Sequence, residues 1–564
     1  MEIKMTLIPG GKSGKVGKIS VKPGDKVDSG DILAQVETGK GNRPIKATEA
    51  GTITMVMCEE GSEVVSNQPM FKLEKESNRK DEEVLIPEED NSVKSKDIIY
   101  LDTELLIIGA GPGGYVAAIY AAKKGLKVTL VEKDELGGTC LNVGCIPTKA
   151  FVKSAEVCRN VMEGNLFGVN INKDFQINMK QVIARKDEVK NKLVSGINAL
   201  LEANKIKLID GQGTFLSKDE LAVYGKQNYR IRFNDVIIAT GSKISKLNLP
   251  GIDLPFVMNS TEALSCTELP ESITIVGGGV IGMEFAFIYK NLGVEVHVVE
   301  FMDRLLTMVD REVSNDIKEL SKKAGIKIYT NAKVMKIEQA IEGQAVITYK
   351  DQDGEHLIIS NKVLVAVGRE PNLDGLDIEK TGIKLNERGR GISVNKQMRS
   401  DTEHIYAIGD VTNIIQLAHV ASHQGIIAVE NILGNFKEIM YSAVPNVIFT
   451  SPEIATVGLS EDDCKEKALD YSASKISFEC NGKALTMNQT EGFIKLIKDN
   501  STGKIVGGSI IGPDASTLIS TITLGISIGI GVEELTRTIF AHPTTAEVIH
   551  EAAFGFGIGA LHEV

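Results

Sequence analysis

LLIIGAGPGG (Leu105 to Gly114) is an apolar run that breaks into a glycine-rich turn, and 168 residues later ITIVGGGVIG (Ile273 to Gly282) does the same. A strand covered on both faces is continuously apolar, and a turn that must bring backbone against a ligand is made of glycine. In the first stretch Gly109, Gly111 and Gly114 form G-x-G-x-x-G ahead of the helical run YVAAIYAAKKG. Their expected roles are a tight turn, close approach to a pyrophosphate, and close helix-to-strand packing, with phosphates at the helix N-terminus. Glu132 ends the next strand, KVTLVE, 23 residues after Gly109, where a carboxylate accepts hydrogen bonds from ribose hydroxyls. The second unit repeats the spacing with Gly277, Gly279 and Gly282, then Glu300 at the end of VEVHVVE. The pattern predicts an α/β core of two Rossmann-like dinucleotide-binding domains with parallel sheets. Glu300 repels a 2′-phosphate, and no Arg stands at Phe301 or Met302, so NAD is favoured over NADP.

Outward from this core, 564 residues exceed what one hydrophobic core organises, so several domains are expected. Residues 1–75 repeat weakly at an offset of 37, pairing Gly14 with Gly51, Gly24 with Gly61, Val27 with Val64 and Leu33 with Met70. Short alternating runs broken by glycine predict a small pseudo-symmetric all-β module. Residues 76–100 are dense in charge and poor in large apolar side chains, the composition of a flexible linker. The chain then divides into 101–247 and 248–372 for the two nucleotide domains, a central segment 373–441, and an α+β domain at 442–564. Ala515 to Val532 is an uncharged run of 18 residues, but its Ser, Thr and Gly content predicts a buried interface helix rather than a membrane span.

The formal net charge is -12 and no long Lys/Arg cluster occurs, which argues against a nucleic-acid partner or an anionic membrane surface. Seven scattered cysteines and an N-terminus without a signal-peptide pattern predict a reducing, cytoplasmic setting. Cys140 and Cys145 stand out in GGTCLNVGCIPTKA. Residues five apart in a regular helix have Cα atoms roughly 8 to 9 Å apart, beyond the range of about 4.4 to 6.8 Å that a disulfide bridges. A redox pair therefore needs a distorted first turn, for which Asn142, Gly144 and Pro147 are suitable residue types. Two structural thiols remain the alternative on spacing alone, while zinc lacks a further Cys/His pair nearby.

GGTCLNVGCIPTK is similar to the redox motif of the flavin-dependent pyridine nucleotide-disulfide oxidoreductases, and about 460 residues after the linker resemble the dihydrolipoamide dehydrogenases among them. IIATGS, VAVGREPN, IYAIGDV, QLAHVASHQG and AHPTTAE support the resemblance. It implies a C-terminal dimerisation domain and a homodimer whose active site is completed by the partner subunit. It assigns FAD to the first glycine unit, with Lys149, Gly213, Thr240, Gly241, Ser242, Asp410, Gln416, Leu417, Ala418 and His419 around that cofactor. NAD goes to the second unit, flanked by Val334 and Gly368. It also implies a catalytic disulfide between Cys140, which exchanges with substrate, and Cys145, which lies nearer the flavin. Lys149 and Glu284 would form an ion pair beside the flavin ring, and His542, oriented by Glu547, would be the base that takes a thiol proton. The implied reaction oxidises protein-bound dihydrolipoamide and reduces NAD.

Lys40, in QVETGKGNRPIKATEAGTI between the halves of the pseudo-repeat, falls where a hairpin is expected. The segment resembles a lipoyl (hybrid barrel) domain, whose exposed lysine carries lipoate; that family has Asp before the lysine and Ala after it, where this chain has Gly39 and Gly41. A biotinyl domain would place Met on both sides. The partners implied are lipoyl domains and the acyltransferase or decarboxylase components of a multienzyme complex. Two rival readings are glutathione or mercuric reductase, the latter needing a C-terminal Cys pair absent after Cys480, and a non-enzymatic lipoyl-bearing scaffold.

Overall fold

The structure, a computed structural model, describes residues 2–5, 13–38, 41–65, 68–75, 98–170, 175–341, 343–387 and 389–563. Two compact units, Met1–Lys94 and Ser95–Val564, are taken separately.

The first unit contains β1 (Glu2–Lys4), β2 (Gly14–Ile19), β3 (Lys26–Val27), β4 (Ile32–Thr38), β5 (Gly41–Lys46), β6 (Gly51–Val56), β7 (Glu63–Val64) and β8 (Pro69–Lys75). They form two four-stranded sheets, β1-β8-β6-β3 and β5-β4-β2-β7. Advancing β2, β3 and β4 by 37 residues lands on β6, β7 and β8, so the weak sequence repeat is the two-fold pseudo-symmetry of the module. Each sheet takes strands from both halves, and neither half buries its apolar face alone. Val16, Leu33, Val36, Ile53, Phe71 and Leu73 fill the space between. β4 and β5 pair with Thr38 opposite Gly41. Gly39 and Lys40, which lie between those partners in sequence, are outside the described residues, as is most of the expected linker.

The second unit begins with β9 (Ile99–Ile108), so Ile99 and Tyr100, read as linker, already belong to a sheet, paired with Tyr229 and Arg230. The charge run ends at Asp97, and the apolar residues after it have a strand to join. β9 leads through the first glycine turn to α1 (Pro112–Lys123) and β10 (Val128–Glu132). Leu105 to Ile108 are at most 4% exposed, as a central parallel strand requires. α2 (Gly138–Asn142) and α3 (Cys145–Glu163) follow, then β11 (Tyr229–Ile238) beside β9. The sheet runs Lys207–Asp210, β10, β9, β11, Glu220–Tyr224, Gln212–Ser217, with Ile405–Ala407 paired to β11.

β12 (Ser242–Ile244) carries the chain into the second nucleotide domain, where β13 (Ser272–Val276), α4 (Val280–Asn291) and β14 (Glu295–Val299) repeat the β-turn-α-β plan. That sheet is parallel, ordered Val257–Met258, Lys362–Val365, β13, β14, Lys327–Tyr329, and α5 (Arg311–Lys323) packs beside it. β15 (Arg369–Pro371) brings the chain back, antiparallel to β12. α6 (Ala418–Ile432) then lies along α1.

The tail is a five-stranded antiparallel sheet that includes β16 (Phe493–Asp499), covered by α7 (Ala515–Ile528), and it ends with α8 (Glu547–Phe554). α7 is shorter than the uncharged run predicted, because Gly529 takes a left-handed conformation (φ 71°) and stops it. It buries Leu518, Ile519 and Ile522 but leaves Leu524 and Ile528 61% and 68% exposed. Among the described residues no helix is long and apolar enough to cross a membrane.

Lys495 on β16, 2% exposed, joins the tail to the second nucleotide domain. Its Nζ lies 2.8 Å from carboxylate oxygens of Asp310, Glu312 and Glu461. Burial opposes its charge, but the three partners overcome this and hold its pKa above the ordinary lysine value. Replacing it by Met leaves Asp310, itself 5% exposed, without its cation. Lys495→Met is expected to destabilise the fold by about 3–5 kcal/mol, read as a lower denaturant midpoint; a change below about 1 kcal/mol would contradict this account.

Candidate active site

One cavity of about 1600 Å³ is lined by both glycine turns and by both cysteines of the motif. Four of the motif glycines are sterically obligatory. A Cβ on Gly109 (φ 100°) would lie 2.4 Å from the Ala239 carbonyl oxygen, and one on Gly277 (φ 110°) 2.5 Å from that of Ala366. Cβ atoms on Gly114 and Gly282 would fall 1.8 and 2.0 Å from the carbonyl oxygens of Gly109 and Gly277. These third glycines do not line the cavity; they let each helix sit against its strand. Gly111 and Gly279 line it; a Cβ on Gly279 would meet nothing within 4 Å, and one on Gly111 would just touch the Gly138 Cα at 4.0 Å. Both are helix N-cap residues without a side-chain cap hydrogen bond; in α1 the first residue, Pro112, has no N–H to satisfy, and the first-turn amides after it, like those of α4, are directed at the N-terminal end of the helix.

The acidic residues that end β10 and β14 do more than the sequence suggested. Glu132 accepts from the Ala110 amide (2.6 Å), and Glu300 from that of Gly278 (2.5 Å), so each carboxylate braces its own turn. A second oxygen of each accepts from the amides that follow, Lys133 and Asp134 in one case and Met302 in the other.

The redox motif is not one helix. α2 holds Cys140, α3 starts at Cys145, and the non-helical residues Val143 (φ -141°, ψ 18°) and Gly144 (φ -137°, ψ -117°) separate them. A Cβ on Gly144 would come 2.8 Å from the Thr139 carbonyl oxygen, so only glycine permits the fold-back. Asn142 donates to the carbonyls of Leu136 and Gly138, both at 3.0 Å, and closes the turn. Both cysteines are thiols here and their sulfurs interact. The hydrogen bond from Cys140 brings the Cys145 pKa down to about 7 against the effect of burial, aided by the Lys149 charge. The same hydrogen bond, with burial, pushes Cys140 well above the ordinary thiol range. Cys145 also stands at the first position of a 19-residue helix, where the dipole favours an anion.

Lys149, one turn along α3, meets Glu284 of α4 at 2.8 and 2.9 Å and lies 4.3 Å from the centre of the Phe449 ring. Glu284, 5% exposed, also accepts from the Phe449 amide. Gly213, Gly241, Gln416, Leu417 and Ala418 line the cavity near the first turn, and Val334 and Gly368 near the second. Thr240 donates to the Asn372 carbonyl (2.7 Å) and Ser242 to Asp410 (2.6 Å). Burial pushes the Asp410 carboxyl above the ordinary range.

His419 stands apart from its motif neighbours Leu417 and Ala418. It is the second residue of α6, its Nε2 donates to the Pro445 carbonyl oxygen (2.8 Å), and it is not in the cavity lining. His542 and Glu547 also stand outside that lining, but they pair with each other, Nδ1 to Oε1 at 2.9 Å. The second oxygen of Glu547 accepts from the Thr544 amide, and these bonds hold its pKa below the usual range although burial works the other way. His542, with its side chain 78% exposed, has no hydrogen-bond partner for Nε2 among the described residues. Thr139 and Arg369 line the cavity and were not singled out from the sequence, where a lone Arg in a Gly-Arg-Glu-Pro turn carries no chemical signature.

Residues 103–425 match the family model described as pyridine nucleotide-disulphide oxidoreductase, and residues 444–553 match its dimerisation domain. The chain belongs to the pyridine nucleotide-disulphide oxidoreductase family. Residues 5–73 match the model described as biotin-requiring enzyme, which covers biotinyl and lipoyl modules. The dihydrolipoyl dehydrogenase of Chlamydia trachomatis serovar D is 41% identical over 454 residues, covering 80% of this chain and 96% of that protein. A dihydrolipoyl dehydrogenase of Bacillus subtilis strain 168 is 40% identical over 456 residues with the same coverage. LpdA from Mycobacterium tuberculosis superposes with a TM-score of 0.75 at 28% identity, and the HOCl-induced flavoprotein disulfide reductase RclA from Escherichia coli, as its Cu(II) complex, with 0.72 at 29%. Each comparison covers 80% of this chain and 99% of the solved one.

A pyridine nucleotide-disulphide oxidoreductase works with FAD and a nicotinamide dinucleotide. The uncapped amides at Gly111 and Gly279 and the carboxylates of Glu132 and Glu300 suit two such groups. Among the described residues no cluster of His, Cys, Asp or Glu could hold a metal ion. With the enzyme reduced, iodoacetamide alkylation of Cys145 followed by mass spectrometry should titrate with a midpoint near 7, while Cys140 stays protected at neutral pH. A midpoint at the free-thiol value of about 8.5 would refute this electrostatic reading.

Proposed function

We propose that this oxidoreductase is a dihydrolipoamide dehydrogenase that serves a 2-oxo acid, acetoin or glycine-cleavage type complex. The observation that carries the reading is the Cys140 and Cys145 pair, folded back across a helix break and opening into one cavity with both glycine turns. Relatives named dihydrolipoyl dehydrogenase at about 40% identity, and the two-fold β module at the N-terminus, favour lipoamide among disulfide substrates.

On this reading His542 Nε2 accepts a proton from one thiol of dihydrolipoamide, while Glu547 holds Nδ1–H and stabilises the imidazolium that forms. The substrate thiolate attacks Cys140 Sγ of the oxidised pair. A mixed disulfide forms and Cys145 leaves as a thiolate, which its lowered pKa favours. The second substrate sulfur attacks the first, closes the lipoamide ring and expels Cys140, and its proton passes to Cys140, which leaves as a thiol. Two electrons now reside on the cysteine pair. FAD held at the first glycine turn and NAD held at the second would supply the hydride chemistry that carries them onward. Lys149, paired with Glu284, keeps a positive charge beside Cys145. His542 lies outside the cavity of its own chain, and the chain carries a dimerisation domain, so the base is assigned to the active site of the partner subunit.

Lys40 is the proposed site of lipoate attachment, between the paired residues Thr38 and Gly41. A carrier covalently joined to its oxidoreductase raises the effective concentration of substrate at the site. The likeness to RclA favours a second reading, a reductase of the same family with another disulfide substrate.

Cys145→Ser is expected to abolish dihydrolipoamide-dependent NADH formation together with the long-wavelength absorbance of the reduced enzyme; survival of both would sink the assignment. Intact-mass measurement of the chain made in cells able to lipoylate should show one lipoyl increment that Lys40→Arg removes. NADPH formation outpacing NADH formation, or a wild-type enzyme inert toward dihydrolipoamide, would favour the second reading.

A further inference from the structure

Arg369 belongs to the VAVGREPN motif but has no part in the chemistry above. It is half-buried on β15, the strand by which the chain returns from the second nucleotide domain, and it lines the active-site cavity. Its Nε donates to Ser242 Oγ (2.8 Å) and its Nη2 to the Ser242 carbonyl (2.7 Å) and to Thr139 Oγ1 (3.3 Å). Ser242 Oγ in turn donates to Asp410 (2.6 Å). A single guanidinium thus ties β15 to the Ser242 and Thr139 stretches directly and to Asp410 through Ser242, and Thr139 is the residue before Cys140.

The charge of Arg369 differs from that of Lys149. Lys149 faces both oxygens of Glu284, so its charge is largely matched. Among the described residues Arg369 has no carboxylate within ion-pair distance, although Asp410 and Cys145 are near enough to interact with it electrostatically. Burial draws its pKa down, yet a guanidinium stays protonated at any physiological pH. The charged and titratable groups that act on Cys145 are Cys140 on α2, Lys149 on α3, Glu284 on α4 and Arg369 on β15; Asp410 acts on Arg369, and Tyr115 of α1 interacts with Cys140.

We propose that Arg369 is a positioning residue for the redox pair: its fork pins Thr139, and with it the Cys140 turn, to the Ser242 and Asp410 pair, while its charge favours the Cys145 thiolate. This rests on the reading of Cys140 and Cys145 as the redox pair. The fork is what Lys cannot reproduce, since an ammonium does not span two acceptors in one plane. The charge is what Met cannot reproduce.

The experiment compares the full-length dimeric wild type with Arg369→Met, Arg369→Lys and Thr139→Val, each reduced and alkylated across pH, with the two cysteines read separately by mass spectrometry. Arg369→Met is expected to move the Cys145 midpoint upward, slowing its alkylation at pH 7 by about threefold or more. It should also expose Cys140 to reagent. Arg369→Lys and Thr139→Val should keep the Cys145 midpoint close to wild type and still lose protection of Cys140. A wild-type midpoint and wild-type Cys140 protection in Arg369→Met would overturn the proposal, as would full Cys140 protection in both Arg369→Lys and Thr139→Val. Melting temperature and bound flavin, measured on every variant, identify any that fails to fold, and the remaining variants still decide the tether. If wild-type Cys145 itself titrates as a free thiol, the reading of the redox pair fails instead, a result separate from these.

Discussion

The constraint on which the site depends is a contact between two pieces of backbone. A Cβ on Gly138 would lie 2.7 Å from the Cα of Gly111, so the redox segment rests directly on the first dinucleotide turn with no side chain between. Gly137 and Gly138 both take positive φ (94° and 57°) to make that approach. From this contact the rest follows in order. α2 starts at the turn, the chain folds back at Gly144, and Cys145 begins α3 at the mouth of the same cavity.

Electrostatics then fastens the domains around that contact. Lys149 and Glu284 join a helix of the first nucleotide domain to one of the second, and the Phe449 amide draws the tail into the same pair. Lys495 makes a comparable junction farther from the cavity, with three carboxylates around one ammonium. The two differ in their surroundings. Lys149 faces the cavity and shifts the thiol beside it, whereas Lys495 is closed off and acts on stability.

What was legible in the sequence was whatever backbone geometry forces. Gly109, Gly114, Gly277 and Gly282 each sit where a Cβ would collide with a carbonyl, so the glycine spacing could hardly read otherwise. The offset of 37 was legible because two sheets built from both halves need matched strands. The Cys140 and Cys145 spacing showed that a redox pair needs a distorted turn, but where the helix breaks, at Val143 and Gly144, shows only in the fold. Within one motif Leu417 and Ala418 line the cavity, while the His419 imidazole bonds to Pro445, a division that the sequence does not display. Arg369 went unnoticed because its value lies in which loops converge on it, and convergence is a property of topology.

The β12 and β15 pair has a modular consequence. The chain leaves for the second nucleotide domain and comes back along two adjacent antiparallel strands, with Ser242 opposite Pro371 and Ile244 opposite Arg369. That whole domain is therefore an insertion hung on one ribbon, its entry and exit side by side. Such a plug can be exchanged for another dinucleotide reader without rethreading the host. Electron acceptor and disulfide substrate can then diverge in evolution as separate choices, made on different cassettes of one chain.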